Sequence, residues 1–425
     1  MLPLPYRRAL RGRLLCAILL TAASHAAAAE LGFEQALQLA LQASPPLRAD
    51  HHRYLSARES ESAAGRLPDP ELLLGIDNLP LQGEDRFDLN ADPMAMRRVG
   101  LMQRFPNGGK RDAERSGAAA LVAQRDAALQ TSARQLLQVT AGLWIALHRV
   151  DAQLSRLDAL RAELRVGEQS TLAQLAGGNS GADAVLVIRQ QAALIDQRAD
   201  ELVAEKQQLR SQLRRHLGEA ASYELAGEPP PLEPDTDALR AGLEEHPRLR
   251  AAQAARDQTG AEVAMARAEQ RPDWALELGY ADRSTRFGDM AMLQLRVDLP
   301  LFQRKRQQPR LAGKLGELAA ADASIEATRR ELESELEGLL AEHNRARRAE
   351  QRLHEVLLPL ATQRVALQLA DWQSGRGRLD GLLAARRDRI ELELETLARR
   401  SERQTLAARL HFGFATLPSL EGLTP

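Results

Sequence analysis

Cysteine is almost absent from this chain: Cys16 is the one example, and it lies inside a leader-like start. Arg7, Arg8, Arg11 and Arg13 precede an apolar run from Leu14 to Leu20, and Ala26-Ala27-Ala28 follows as a small-residue cleavage site. That order predicts a secretory signal over 1–29, with an apolar centre too short to span a membrane. Leu14-Leu15 rather than a small residue precedes Cys16, which argues against lipid attachment there. The mature chain then has no thiol, excluding a disulfide framework and thiolate metal sites. Aromatic residues are also scarce, at 3% against 27% charged, a balance suited to long helices rather than a large globular core. No stretch beyond the leader approaches 18 uninterrupted apolar residues, so entry into a membrane would have to be by strands. A basic excess is missing too. Removing the leader removes four Arg and no acid, leaving 53 minus 58, or −5, which makes nucleic acid an unsuitable partner. Nor is there a Ser/His/Asp arrangement or a dinucleotide fingerprint. GGNSG at 177–181 lacks the Lys and Ser/Thr that complete a phosphate loop. The chain is read as no enzyme, needing no cofactor.

What it does contain, it contains twice. PDPELLLG (68–75) leads into an alternating stretch that ends at Phe105-Pro106; PDWALELG (272–279) leads into another that ends at Leu299-Pro300. A helical run, a glycine break and a second helical run follow each. Pro106 lies 72 residues before Gly178, and Pro300 lies 75 before Gly375. Matched spacing of unlike elements indicates an internal duplication. The expected organisation is a first repeat over 30–227, a linker over 228–234 (EPPPLEP), a second repeat over 235–417 and a tail over 418–425.

Each repeat should supply two strands. Leu72, Leu74 and Ile76 alternate with Leu73, Gly75 and Asp77; Val99, Leu101 and Phe105 share a face on which Gln103 is the exception. Trp274, Leu276, Leu278 and Tyr280 oppose Ala275, Glu277, Gly279 and Ala281, while Leu293 to Leu301 alternate with Met292, Gln294, Arg296 and Asp298. Strands of about nine residues suit a tilted membrane crossing. Trp274 and Tyr280 would stand roughly 20 Å apart along one strand, the separation of two aromatic belts. A half-buried strand of a soluble sheet has the same period.

Elsewhere the period is helical. Leu143, Leu147, Val150, Leu154, Leu157 and Leu164 keep an a/d rhythm, and Ile188, Ile195, Leu202 and Leu209 recur every seven, as do Leu383, Ile390 and Leu397. Asp112 to Leu175 contains no proline and predicts one helix of about 64 residues, near 95 Å long. The matching run from Leu311 to Trp372 is interrupted by Pro359, where a kink is expected. Gly177, Gly178 and Gly181, and likewise Gly375 and Gly377, are expected to turn each long helix back into a hairpin. One chain thus offers four candidate membrane strands. That is too few to close a barrel, and open edges are not tolerated in hydrocarbon. Several chains would have to share one barrel continued by a helical tube.

These features resemble the outer-membrane factors of the TolC family, exit ducts of tripartite efflux and secretion systems. The resemblance runs from GFEQALQLALQASPPLRA (32–49) to the last helix, and LRAGLEEHPRLRAAQ (239–253) opens the second repeat in the same way. It implies a fold that is mainly α with a small β part. Three copies would share one β-barrel in the outer membrane of a Gram-negative bacterium and extend it by an α-helical barrel through the periplasm. The implied partners are lipid, a periplasmic adaptor and an inner-membrane pump. LPDPEL (67–72) and QRFPNGGKR (103–111) resemble the branch serving heavy-metal resistance-nodulation-division (RND) pumps, which implies copper and silver, or cobalt, zinc and cadmium, as cargo. The family's acidic ring after the second glycine turn falls on Gly381 and Ala384 here, so that pattern is not kept. Asp380 is the nearest carboxylate and Asp183 its counterpart, giving two gate candidates. The turns at Gly177, Gly178, Gly375 and Gly377 become the adaptor-docking tips.

Met-Ala-Met at 94–96 and 290–292 places Met94, Met96, Met290 and Met292 just before the second strand of each repeat, a conceivable thioether site for Cu(I) or Ag(I). Coincidence in apolar strand ends, helped by the duplication itself, is the favoured reading. His51-His52 does not share a helix face and reads as solvated. Other assignments stay open: a channel for drugs or secreted polypeptides, a periplasmic adaptor, or a coiled-coil scaffold without a pore.

Overall fold

The computed structural model describes residues 30–177, 182–283, 287–374 and 376–416. The expected leader, the whole of the tail, Leu417 at the end of the second repeat, and Gly178, Gly181 and Gly375 lie outside the described residues.

The chain begins with a three-residue strand, β1 (Glu30–Gly32), then α1 (Phe33–Ala43) and α2 (Pro45–Ala63). Phe33, Ala36, Leu37, Ala40 and Leu41 are the buried positions of α1, a helical stripe that seats it on the long helix. Ser44 ends one helix and caps the next, its hydroxyl accepting from the Leu47 N–H at 3.4 Å ahead of a proline-led first turn. A hairpin of β2 (Glu71–Asp77) and β3 (Met96–Phe105) follows, then α3 (Gly108–Ala176), 69 residues in one helix, and α4 (Ala182–Leu217), 36 residues. At 1.5 Å per residue α3 is about 100 Å long.

The second half repeats this order. β4 (Glu224–Ala226) pairs in parallel with β1, a contact absent from the sequence reading because three-residue strands have no legible period. α5 (Thr236–Ala241) and α6 (Pro247–Ala268) lead to the hairpin of β5 (Trp274–Asp282) and β6 (Met290–Val297). α7 (Gln307–Arg352), a π turn over Leu353–Leu357 and α8 (Leu358–Gln373) form the second long run, and α9 (Leu379–Phe414), again 36 residues, returns from it.

Three expectations shift. The interruption expected at Pro359 is a π turn just upstream, at 353–357. Proline lacks an N–H and its ring crowds the carbonyl four residues back, so the wider turn forms on the N-terminal side. β6 ends at Val297, with Leu299 beyond it in irregular chain and Leu301 at the start of a turn. Pro300 explains that, since it cannot donate to a ladder. Ser374, rather than a glycine, follows α8, its N–H bonded to the Ala370 carbonyl at 3.0 Å.

The long helices form a wall. Val150, Leu157 and Leu160 of α3 meet Ile195, Ala199 and Leu202 of α4, with Ile390 and Leu394 of α9 against the same cluster. Leu332, Leu336, Leu339 and Leu340 of α7 pack on Leu406 and Leu410 of α9. The heptad positions Ile188, Ile195 and Leu202 are buried. Trp144 is the deepest large residue, at 0% exposure. Its ring meets Phe33 edge-on at 5.4 Å and its indole N–H donates to the Leu31 carbonyl at 3.0 Å, which anchors the start of the described chain.

Candidate functional site: an apolar sheet face and the helical tips

The two hairpins join into one four-stranded antiparallel sheet in the order β2-β3-β5-β6. Its register puts side chains of one kind on each face. Leu72↔Leu101↔Leu278↔Leu293 runs straight across, and Leu74↔Val99↔Tyr280 lies beside it. On this face Leu74 is 74% exposed, Leu293 70% and Leu278 56%, a degree of bare leucine that water does not support across a whole sheet. Two polar features interrupt this face: Gln103 turns its amide to the Pro68 carbonyl at 2.8 Å, and at the far end Arg97 pairs with Asp282 at 3.2 Å.

The opposite face is charged and paired. Arg98 lies 3.2 Å from Asp77 and 3.7 Å from the buried Glu277, and Arg104 lies 3.0 Å from Glu71. Apolar outside and ionic inside is the alternation of a strand with hydrocarbon on one side and water on the other. Trp274 stacks on Phe105 at 4.0 Å at the helix-proximal end of this sheet. At the far end Tyr280 gives its hydroxyl hydrogen to Asp289.

Where sheet becomes helix, the residues of QRFPNGGKR acquire a task. Asn107 caps α3 by accepting from the Lys110 N–H at 3.2 Å, while its own N–H and amide donate to Asp273 Oδ1 at 2.9 and 2.8 Å. Lys110 closes on the other oxygen of Asp273. Burial alone would raise the Asp273 carboxyl, but Lys110 and Asn107 hold it below its ordinary value. This clamp ties the end of β3 to the start of β5. The sequence reading took QRFPNGGKR only as a likeness; neither the Asn107 cap nor its partner, 166 residues on, was read from it.

At the other end of α3, Gly177 is the helix cap, its N–H directed to Ala173 and Leu175. Gly377 donates to the Asp371 carbonyl at 2.9 Å, and a Cβ there would stand 3.0 Å from the Trp372 backbone nitrogen, so the turn leaves no room for a side chain. Asp183 and Asp380 occupy the first turns of α4 and α9. Asp380 pairs with Arg378 at 3.1 Å, which lowers its carboxyl pKa, and the charge of Asp183 also acts on Arg378. Both gate candidates are exposed and share one arginine that the sequence reading did not single out. Behind these tips a cavity of about 570 Å³ lies between α3 and α9, lined by Leu164, Ile188, Trp372 and Leu382 among others.

The methionine pairs are not assembled within one chain. Met292 lies opposite Gly279, and Gly279 opposite Gly100, four residues along β3 from Met96. Met94 precedes the strand and Met290 pairs with Ala281. His51 and His52 stay on α2, where His51 stacks on Tyr54 at 6.5 Å. Among the described residues no group of three or more His, Cys, Asp or Glu could hold a metal ion, and no helix is long and apolar enough to cross a membrane.

The described residues thus present a sheet with two open edges and one bare apolar face, beside a wall of helices about 100 Å tall. No family model and no curated protein sequence matches the chain. Solved structures do match its fold. A membrane protein from Pseudomonas aeruginosa superposes with a TM-score of 0.77 at 17% identity over 90% of each chain. The outer membrane protein VceC of Vibrio cholerae gives 0.73 at 18% identity, over 90% of this chain and 96% of its own. CusC, whose structures concern folding and transmembrane channel formation, gives 0.66 at 17% identity over 91% and 92%. The fold is therefore TolC-like, mainly α with a small β part, over nearly the full length.

Proposed function

We propose that this protein is the outer-membrane exit duct of a tripartite efflux system, a homotrimer through which substrate passes without chemistry. Three copies pool their four-stranded sheets into one barrel in the outer membrane of a Gram-negative bacterium. Their helical hairpins continue the passage across the periplasm. A periplasmic adaptor docks at the tips around Gly177, Gly178, Gly375 and Gly377, and an inner-membrane RND pump supplies the energy. The single observation that carries this reading is the sheet itself. Its bare leucine face and two open edges can be satisfied together only by lipid and by further strands. The shared fold with outer-membrane channels supports it.

Heavy-metal cations are the proposed cargo, copper and silver or cobalt, zinc and cadmium. The support is the resemblance of LPDPEL (67–72) and QRFPNGGKR (103–111) to the metal-efflux branch. Asp183 and Asp380 are the proposed acidic lining at the periplasmic constriction, where carboxylates attract cations. Opening is a slide of the tip helices between two packings.

A deletion strain challenged with graded copper, silver, zinc, cobalt and cadmium tests the cargo. Increased sensitivity to one of these pairs or groups supports metal export. Unchanged tolerance to all five, with lost tolerance to an organic toxin, assigns the duct to other cargo. Absence of ion current in planar lipid films, with the tips loosened by mutation, removes the channel itself.

A further inference from the structure

Resting on the trimer reading above, we propose that neighbouring copies join by repeating the contact that already joins the two halves of one chain. Val297 of β6 then lies opposite the neighbouring copy's Leu72, and Arg304 closes on that copy's Asp69.

The duplication supplies the geometry. Pro68 and Pro272 are 204 residues apart, and Pro106 and Pro300 are 194 apart. Applied to the first hairpin, these offsets carry the pair Glu71↔Met102 onto Ala275↔Arg296, which is an observed pair of the second. The two hairpins therefore share one register. The same offsets applied to the β3–β5 contact give the seam between copies. Gln103↔Leu276 becomes Val297↔Leu72, Leu101↔Leu278 becomes Leu295↔Leu74, and Val99↔Tyr280 becomes Leu293↔Ile76.

Side-chain chemistry agrees with this register, although it played no part in deriving it. All six residues belong to the bare apolar face, from Val297 at 44% to Leu74 at 74% exposure. A slip of one residue would set leucine against the ionic face instead.

The charged pair of the clamp repeats in the same way, whereas Asn107, carried forward by 194, becomes Leu301 and is not repeated. Asp273 is held by Asn107 and Lys110. Carried back by 204, Asp273 becomes Asp69; carried forward by 194, Lys110 becomes Arg304. Asp69 and Arg304 are exposed, and neither side chain has a partner among the described residues. Inside the chain the charged pair has both members, whereas each free edge carries one. The helices match this pattern. α3 packs on α9, so its repeat, α7 with α8, should meet the neighbour's α4. Leu360 and Leu367 on α8 and Leu186 and Leu194 on α4 are exposed at 50% or more, ready for such a contact.

The thiol-free mature sequence makes the test direct. Leu72→Cys with Val297→Cys, expressed in the full chain, should give disulfide-linked dimers and trimers on oxidation, at least tenfold above the mispaired Leu72→Cys with Leu293→Cys. Opposed residues on antiparallel strands lie within disulfide reach. Preferential linking of the mispaired combination overturns the register. No linking in either variant, while an amine-reactive cross-linker still gives trimers, overturns the strand seam and leaves the duct reading standing. Monomers under both chemistries remove the trimer itself. For the clamp, Asp69→Arg should lower the temperature at which the trimer dissociates, and adding Arg304→Asp should restore it. A double variant no better than the single one overturns the Asp69–Arg304 contact.

Discussion

Arg134 on α3 donates through Nη1 to the carbonyl of Gly413, 3.0 Å away in the last turn of α9. The same nitrogen reaches the Ala415 and Phe412 carbonyls at 2.9 and 3.3 Å, so one guanidinium caps a helix that leaves three carbonyls unpaired. His246 completes the site. Its Nε2 donates to the Gly413 carbonyl at 3.1 Å while its Nδ1 accepts from the Arg248 N–H, also at 3.1 Å. Three elements, α3, α6 and α9, therefore meet at one carbonyl.

Replacing Arg134 by Met keeps the stem and removes every donor. Charged hydrogen bonds of this kind contribute about 1.5–3 kcal/mol, and the carbonyls left behind are largely sealed from water. The expected outcome is a loss of roughly 2–3 kcal/mol in the denaturant unfolding of the detergent-purified protein. A change below about 0.5 kcal/mol would mean that solvent replaces the cap.

Acid should act through His246. Burial, then the neighbouring Arg134, lower its pKa from 6.5 to about 4. In that interval the unfolded chain binds a proton that the folded chain refuses. The contribution to stability is thus complete above 6.5 and is lost as pH falls towards 4, at most roughly 3 kcal/mol. His148, His216, His343 and His411 are lowered in the same direction, so the comparison must be between variants. His246→Asn keeps a capping side chain without the titration. Its unfolding midpoint should fall less than that of the parent between pH 7 and pH 4.5; parallel curves would assign the acid sensitivity to the other histidines.

The sheet faces make opposite demands. Leu293→Arg places a cation on the bare leucine face, and near a bilayer midplane that costs about 2–4 kcal/mol. Gln294→Arg places the same charge on the ionic face. Membrane-fraction yield of heat-resistant oligomer should fall sharply for the first variant and little for the second. Equal yields would show that lipid does not cover the leucine face.

Asp183 and Asp380 are expected to set the charge preference of the closed end. With both changed to Asn, cation-over-anion permeability, read from reversal potentials in planar lipid films under a salt gradient, should decrease. The effect should weaken as ionic strength rises, because exposed carboxylates are screened within about 10 Å at 0.1 M. An unmoved reversal potential would place the selectivity elsewhere, with Glu71, Asp77 and Glu277 of the sheet as the next candidates.

Most of the architecture could be read before any coordinate. The four strands begin within about two residues of where their alternation starts, and α3 extends the proline-free run by four residues at its start, to Gly108. Of the glycines expected at the tips, Gly177 caps α3 and Gly377 sits in the turn before α9, while Arg378 between the two carboxylates had no sequence signal. QRFPNGGKR was legible as a family likeness, but its Asn107 and Lys110 also serve a structural purpose that likeness alone did not disclose. Arg134 gave no signal at all: its partners lie almost 280 residues away, on a helix end whose carbonyls have no sequence identity to recognise.

Period is a property of neighbouring residues, and for that reason the sequence alone determined the four long strands, the long helices and that the set occurs twice, but neither the three-residue β1 and β4 nor the end of β6. Pairing between distant segments leaves no such imprint. Tertiary structure alone decided the register that gathers the leucines on one face, the hold of Asn107 and Lys110 on Asp273, and the meeting of α3, α6 and α9 at Gly413. Each of those depends on donors and acceptors brought within about 3 Å by the packing of everything between them.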